Sequence, residues 1–317
     1  MRDASDIWLF YALTALQLGL SAFFFPARNA LVPDLVSAEE LPVANALTSS
    51  TWSIMLAFGT ALGGLLAGII GVHATFIIDS LSFLVSAFLI VRIKHTEISR
   101  VKSKNVSIKN SIFQYLDGWR FLKSNPSVMA VALHKGANDF FIVGGLNVFL
   151  VLLAKDYFPL GKGGGISIGL TWAAAGIGSG VGPLIARHFT RDRVKGIQIA
   201  LIVCYVVSAL GIGIIATMSG LIGLIVGAFM RGMGGGLMYV FSSQLLMQSV
   251  PSSHRGRIFS IEFAFRTFLS AAGAAIVGIG IDSTLGIQGV LWISTCAALV
   301  PGILWTLWLR RQSVIFV

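Results

Sequence analysis

The chain has 317 residues, 56% of them hydrophobic and only 11% charged, with a mean hydropathy of +0.85. Soluble domains carry roughly 25% charged residues, so this composition excludes an ordinary water-soluble globule. The formal charge of +10 invites a nucleic-acid reading, but the basic residues gather at the ends of apolar segments, and no nucleic-acid partner is expected.

Apolar runs of about 20 residues, the length needed to cross a hydrocarbon layer ~30 Å thick, recur along the whole chain. They predict spans at 7–25, 46–70, 74–92, 127–154, 163–186, 197–217, 219–243, 258–281 and 287–309. These runs do not alternate apolar and polar residues, which argues against a barrel. The fold class is all-α, a polytopic membrane protein with the lipid bilayer as its solvent. The leader Met1–Asp6 sets Asp3 and Asp6 against Arg2, unlike the positive start of a cleaved signal, so the first span is read as permanent.

Basic residues fall on one side of this array. Arg28, the group from Arg92 to Lys123, the group Arg187, Arg191, Arg193 and Lys195, the pair Arg255 and Arg257, and Arg310 with Arg311 share that side. The other side holds Arg2, Lys155 and Lys162. By the positive-inside rule the first side is cytoplasmic. The C-terminus is then inside and the N-terminus outside, in a plasma (inner) membrane.

An external start suggests helices ahead of Met1. The stretch around Val32 and Pro33 aligns with Val250 and Pro251, six spans later, so the expected repeat unit is six helices and a complete pair is twelve. About nine of twelve are then present. Residues 1–92 form the second half of one bundle, 93–126 a cytoplasmic linker, and 127–317 a second bundle of six. Within the linker, Val106–Lys123 sets Ile112, Phe113, Leu116, Trp119 and Phe121 against Lys109, Asp117, Arg120 and Lys123. That pattern suits a helix lying on the membrane face, and equally a plain connection.

Glycines cluster inside the spans at Gly59, Gly63, Gly64 and Gly68, at Gly176, Gly178, Gly180 and Gly182, and at Gly232, Gly234, Gly235 and Gly236. Small residues at such spacing let helix backbones approach closely. The run GKGGG at 161–165 lacks the preceding strand and the Lys-Ser/Thr offset of a phosphate loop. Cys204 and Cys296 lie in apolar spans with no metal or disulfide spacing, and are read as packing residues. His73, His95, His134, His188 and His254 are scattered mostly through loops without paired spacing, so neither a metal, a cofactor nor an embedded enzyme is expected.

Ionisable residues inside spans carry the functional signal, because a charge at a helix centre costs about 2.5–3.5 kcal/mol on insertion scales. Six qualify: Asp79, Lys135, Asp139, Arg231, Glu262 and Arg266. Asp139 lies about 18 Å into its span at 1.5 Å per residue, near the midplane, and is the first choice for proton or cation coupling. Lys135 precedes Asp139 by one turn and Glu262 precedes Arg266 by one turn, so ion pairs along each helix are the simplest alternative. Arg231 has no partner in its own helix, which leaves an anionic substrate group or an acid on a facing helix. For Asp79 a structural hydrogen-bonding role is at least as well supported as transport. Phe23, Phe24, Phe25, Phe140, Phe141, Trp172 and Tyr239 are aromatic candidates for a cavity lining, or for packing.

The segments FFFPARNALVPDLVSAEELPVANAL at 23–47, FGTALGGLLAG at 58–68, FIIDSLSFLVSAFL at 76–89 and VPSSHRGRIFS at 250–260 resemble the major facilitator superfamily. The closest resemblance is to its drug, macrolide and siderophore exporter branch, with helices four to twelve represented. The motif positions are Pro26, Arg28, Pro33, Asn45, Gly59, Gly63, Gly64, Arg187, Arg255, Gly256 and Arg257. Thr60 stands where the antiporter motif has proline, and Ala186 where an aspartate is expected. The resemblance implies a monomeric secondary transporter, proton-coupled, exporting a hydrophobic or amphipathic small molecule by alternating access. The alternatives are a truncated remnant that does not transport, a lysophospholipid transporter, or a membrane-embedded enzyme.

Overall fold

The computed structural model describes residues 11–21, 62–92, 108–191 and 193–315, with single positions before residue 60. Contacts divide the chain into two compact units, one of residues 1–52 and 83–104, the other of residues 53–82 and 105–317. The described residues are helical with no strand among them, and seven helices are long and apolar enough to cross a membrane. They match the last seven predicted spans. The first two are described in part, and of them 11–21 and 62–69 are helical.

Helix α1, Val72–Val91, has 20 residues and no buried side chain. Helix α2, Ile108–Ser124, is the amphipathic linker segment. Helix α3 is the rod Pro126–Tyr157, 32 residues long, opened by Pro126 at its first turn. After it come α4, Gly165–Thr190, α5, Val194–Ala216, α6, Leu221–Ser249, and α7, Ser252–Ile281. The last span is two short helices in succession, α8, Gly286–Ala297, and α9, Val300–Ile315.

Large apolar side chains face outward all around these helices, with Ile222 79% exposed, Leu184 74% and Phe268 70%. Contiguous apolar surface of this kind has no counterpart on soluble monomers; lipid is the solvent that accommodates it. Without a hydrophobic drive between helices, packing depends on close backbone approach. Helix α6 shows how. A Cβ on Gly232 or Gly236 would strike the α4 backbone at Ala175 or Ser179, and one on Gly182 of α4 would come 2.6 Å from the Met233 carbonyl oxygen. On its other side, a Cβ on Gly234 would strike Ser208 and Cys204 of α5. The glycine clusters therefore seat α6 between α4 and α5.

The 161–165 glycine run is a turn. Gly161, Gly163 and Gly164 take φ of 75°, 58° and 71°, a region costly for other residues, and so reverse the chain between α3 and α4. Ser167 Oγ secures the turn by donating to the Phe158 carbonyl at 2.6 Å.

Helix α2 packs against α7. Gly118 lies against Arg257 and Ile261, and Leu122 is buried. Asp117 pairs with Arg257 and lies 3.6 Å from His254 Nε2, while the His254 ring stacks on Phe121 at 4.7 Å. The linker segment is thus a helix docked on the start of α7, with Leu116 and Trp119 left exposed.

Candidate functional site: an interhelical charge cluster

Two helices running in the same direction build the centre of the site. Residue numbers rise together along their contact: Lys135 with Glu262, Asp139 with Arg266, and Gly144 with Ser270 and Ala274. Gly136, Gly144 and Gly145 on α3 and Gly273 on α7 remove the side chains that would hold the backbones apart. At Asp139 the α-helical ladder of α3 gives way to a π-helical turn, Asp139–Val143, closed by the Gly144 N–H donating to the Asp139 carbonyl. Such turns insert an extra residue and rotate the following face. Here the change places Gly144 and Gly145 against α7.

Each helix carries two charges one turn apart in opposite order, Lys135 then Asp139, and Glu262 then Arg266. They pair across the seam. Lys135 Nζ lies 2.9 Å from Glu262 Oε1, with both side chains about 5% exposed. Arg266 Nε lies 3.0 Å from Asp139 Oδ2, in a more open setting. Pairing therefore runs between the two helices rather than along each of them. Side chains one turn apart on a single helix stand side by side, whereas carboxylate and cation on facing helices meet end to end in a narrow apolar seam. In hydrocarbon, where no water competes, the closer geometry prevails.

Helix α6 completes the cluster. Lys135 Nζ donates to Ser243 Oγ at 2.7 Å, and the Tyr239 ring lies 4.7 Å from Lys135 Nζ and 5.7 Å from Arg266 Cζ. Arg231 of α6 is buried within electrostatic range of Asp139, with no ion pair formed between the two. Asn138 Nδ2 donates to Asp139 Oδ1 at 3.2 Å, while Asn138 Oδ1 and Arg231 Nε are buried with no hydrogen-bond partner among the described residues. The cluster holds three cations, Lys135, Arg231 and Arg266, against two carboxylates, Asp139 and Glu262. Helix α3 is 32 residues long, and Asp139 lies about 20 Å from its start at 1.5 Å per residue.

His134, within the predicted span 127–154, is inside α3 and buried. Its Nδ1 lies 2.8 Å from the Tyr205 hydroxyl of α5, and the Trp305 ring of α9 meets it edge-on at 4.2 Å. That pair ties α3 to the α5–α9 side and fixes the helix that carries Lys135 and Asp139. Neither partner carries a sequence motif; burial of an aromatic hydroxyl beside an imidazole is visible only once the helices are assembled. Ser243 was also missed, for the same reason.

The other candidates lie apart from the cluster. Asp79 is exposed on α1, where its carbonyl accepts from Ser82 Oγ at 2.7 Å. Pro26, Arg28, Pro33 and Asn45 lie outside the described residues, as does the side chain of Arg255. Gly59 and Gly63 have open space where a Cβ would stand, whereas Gly64 lies against the Gly169 backbone and Gly68 against Gly165 and Ile166 of α4. Arg187 is in the last turn of α4, Gly256 is open to its surroundings, and Arg257 forms the pair with Asp117. Among the described residues no group of three or more His, Cys, Asp and Glu is placed to hold a metal ion.

Proteins similar to this chain include transporters. The chain is 27% identical over 262 residues to the MFS-type transporter y4rN of Sinorhizobium fredii, an alignment covering 82% of this chain and 62% of that protein. It is 22% identical over 300 residues to macrolide efflux protein A of Streptococcus pyogenes, covering 93% of this chain and 72% of that one. The corresponding macrolide efflux protein of Enterococcus faecalis is 23% identical over 256 residues, covering 80% and 77%. The chain thus spans about 62% of the length of the first of these relatives. The sequence pattern of the Major Facilitator Superfamily matches residues 3–274, and the chain belongs to that superfamily.

Proposed function

We propose that the chain is part of a secondary active exporter of the plasma membrane, moving a hydrophobic or amphipathic small molecule by alternating access with protons as the coupling ion. The observation that carries this reading is the paired charge cluster of α3 and α7, with its Asp139–Arg266 pair the more open of the two. The efflux proteins among its relatives support the direction of transport.

The mechanism follows from what protonation does to that pair. With Asp139 ionised, Arg266 is neutralised across the seam and α3 is held to α7. A proton on Asp139 removes the attraction and leaves three cations facing one carboxylate. The seam then favours a different arrangement of helices, and the proton's binding energy biases one state over the other. Glu262, enclosed with Lys135, is the fixed partner that keeps the two helices in register.

The test is uptake into inverted vesicles carrying the chain together with whatever sequence precedes it in its gene. Wild-type uptake is expected to collapse with a protonophore. Asp139→Asn is expected to abolish proton-driven uptake at an unchanged level of membrane insertion, and uptake at the wild-type rate rules Asp139 out as the coupling residue.

A further inference from the structure

An apolar groove of about 290 Å³ opens between the last turn of α4 and the first turns of α5. Leu237 of α6 and Ala200 of α5 form its buried floor, and Phe189, Ile199 and Val203 stand exposed along its rim. Thr190 also lines it, but its hydroxyl is directed at the Arg187 carbonyl of its own helix at 3.4 Å. The groove therefore presents hydrocarbon to whatever occupies it.

Charge stands at its mouth. Thr190 and Gly196 both line the groove, and the turn joining them carries Arg191, Arg193 and Lys195, all exposed. Arg191 takes a left-handed φ of 48° with its N–H on the Arg187 carbonyl at 3.0 Å. The segment 187–195 contains four Lys and Arg residues against the single Asp192. The same turn starts α5, whose first bond of the helical ladder is Ile197 N–H to the Arg193 carbonyl at 2.9 Å. The N–H groups of Val194, Lys195 and Gly196 precede it, and they make this helix end positive. An apolar slot beside a helix end and a basic turn matches an acyl chain joined to an anionic headgroup.

We infer that the α4–α5 groove is a binding site for one anionic phospholipid, with an acyl chain against Leu237, Ala200 and Val203 and the phosphate at Arg191, Arg193 and Lys195. Basic pockets between spanning helices recognise such headgroups by the same physics. The inference requires only that the chain is embedded in a membrane, and stands independently of what it transports.

Native mass spectrometry of the purified protein tests it, with phosphatidylglycerol and phosphatidylcholine of identical acyl chains as probes. Wild type is expected to retain phosphatidylglycerol preferentially. The triple variant Arg191→Gln, Arg193→Gln, Lys195→Gln is expected to lose that preference roughly tenfold or more while keeping its weak retention of phosphatidylcholine. Val203→Trp, which fills the groove from its rim, is expected to reduce phosphatidylglycerol retention with the basic turn intact. Equal retention of the two lipids by wild type, or a triple variant that behaves as wild type, overturns the headgroup assignment. An undiminished Val203→Trp overturns the groove. If a variant does not fold, photo-crosslinking on the wild type decides instead. A photoactivatable phosphatidylglycerol should label the peptide 187–203, and labelling spread evenly over the spans refutes the site.

Discussion

Lys135 and Glu262 show what a buried ion pair does in this bundle. Both side chains are enclosed, at 2.9 Å, so removing one partner strands the other charge away from water. Glu262→Gln is expected to destabilise the protein by about 3–5 kcal/mol, read as a lower melting temperature in detergent. The double change Lys135→Met with Glu262→Leu replaces the pair by hydrocarbon and should recover most of that loss. A double variant as unstable as the single one would mean the pair's charges, rather than their mutual compensation, are needed. Asp139 differs in being paired in a more open setting with Arg266, Asn138 and Arg231 around it, which suits a group that must change its charge during a cycle. Its neighbour in sequence importance, Asp79, is exposed on α1, and Asp79→Asn is expected to leave folding and uptake close to wild type.

At the scale of the helix, the glycines do different work according to what lies opposite them. A Cβ on Gly182 would come 2.6 Å from the Met233 carbonyl oxygen, whereas Gly180, half a turn away, meets open space. Gly182→Ala should force α4 from α6 and cost about 1–3 kcal/mol. Gly180→Ala should be neutral or stabilise by up to about 1 kcal/mol through its better helix propensity. Thermal unfolding of the two variants side by side separates the roles, and equal effects would contradict the packing described. Helix α2 offers a second case. Its attachment to α7 through Asp117 and Arg257 is half exposed, and surface pairs contribute about 0–1 kcal/mol. Asp117→Asn should therefore barely shift the melting temperature while accelerating hydrogen exchange across 108–124.

At the scale of the whole molecule, the charge asymmetry between the two faces of the spans is the strongest statement about orientation. The basic turn after α4 and the pair Arg310 and Arg311 lie on one face, Lys155 and Lys162 on the other. A green fluorescent protein fused after Val317 should fluoresce, as it does when it folds in the cytoplasm, and a dark fusion with normal insertion would reverse the orientation.

The spans were legible in the sequence because a bilayer imposes a length and an apolar composition on each helix regardless of its neighbours. The seven spans among the described residues are those the hydropathy marks, and the glycine clusters named the helices that approach closely. The six intramembrane charges were also visible as separate candidates, since a charge in hydrocarbon is conspicuous by its cost. What the sequence could not disclose is partnership. Lys135 and Asp139 are one turn apart, as are Glu262 and Arg266, and local spacing alone favours pairs within each helix. Only the tertiary seam of α3 and α7, held close by Gly136, Gly144 and Gly273, brings each charge nearer to the opposite helix than to its own neighbour. His134 on Tyr205 and Ser243 on Lys135 have the same origin, as does the groove beside the basic turn. Lipid dictates what each helix is made of, one helix at a time; the direction in which a side chain finds its partner depends on two backbones at once.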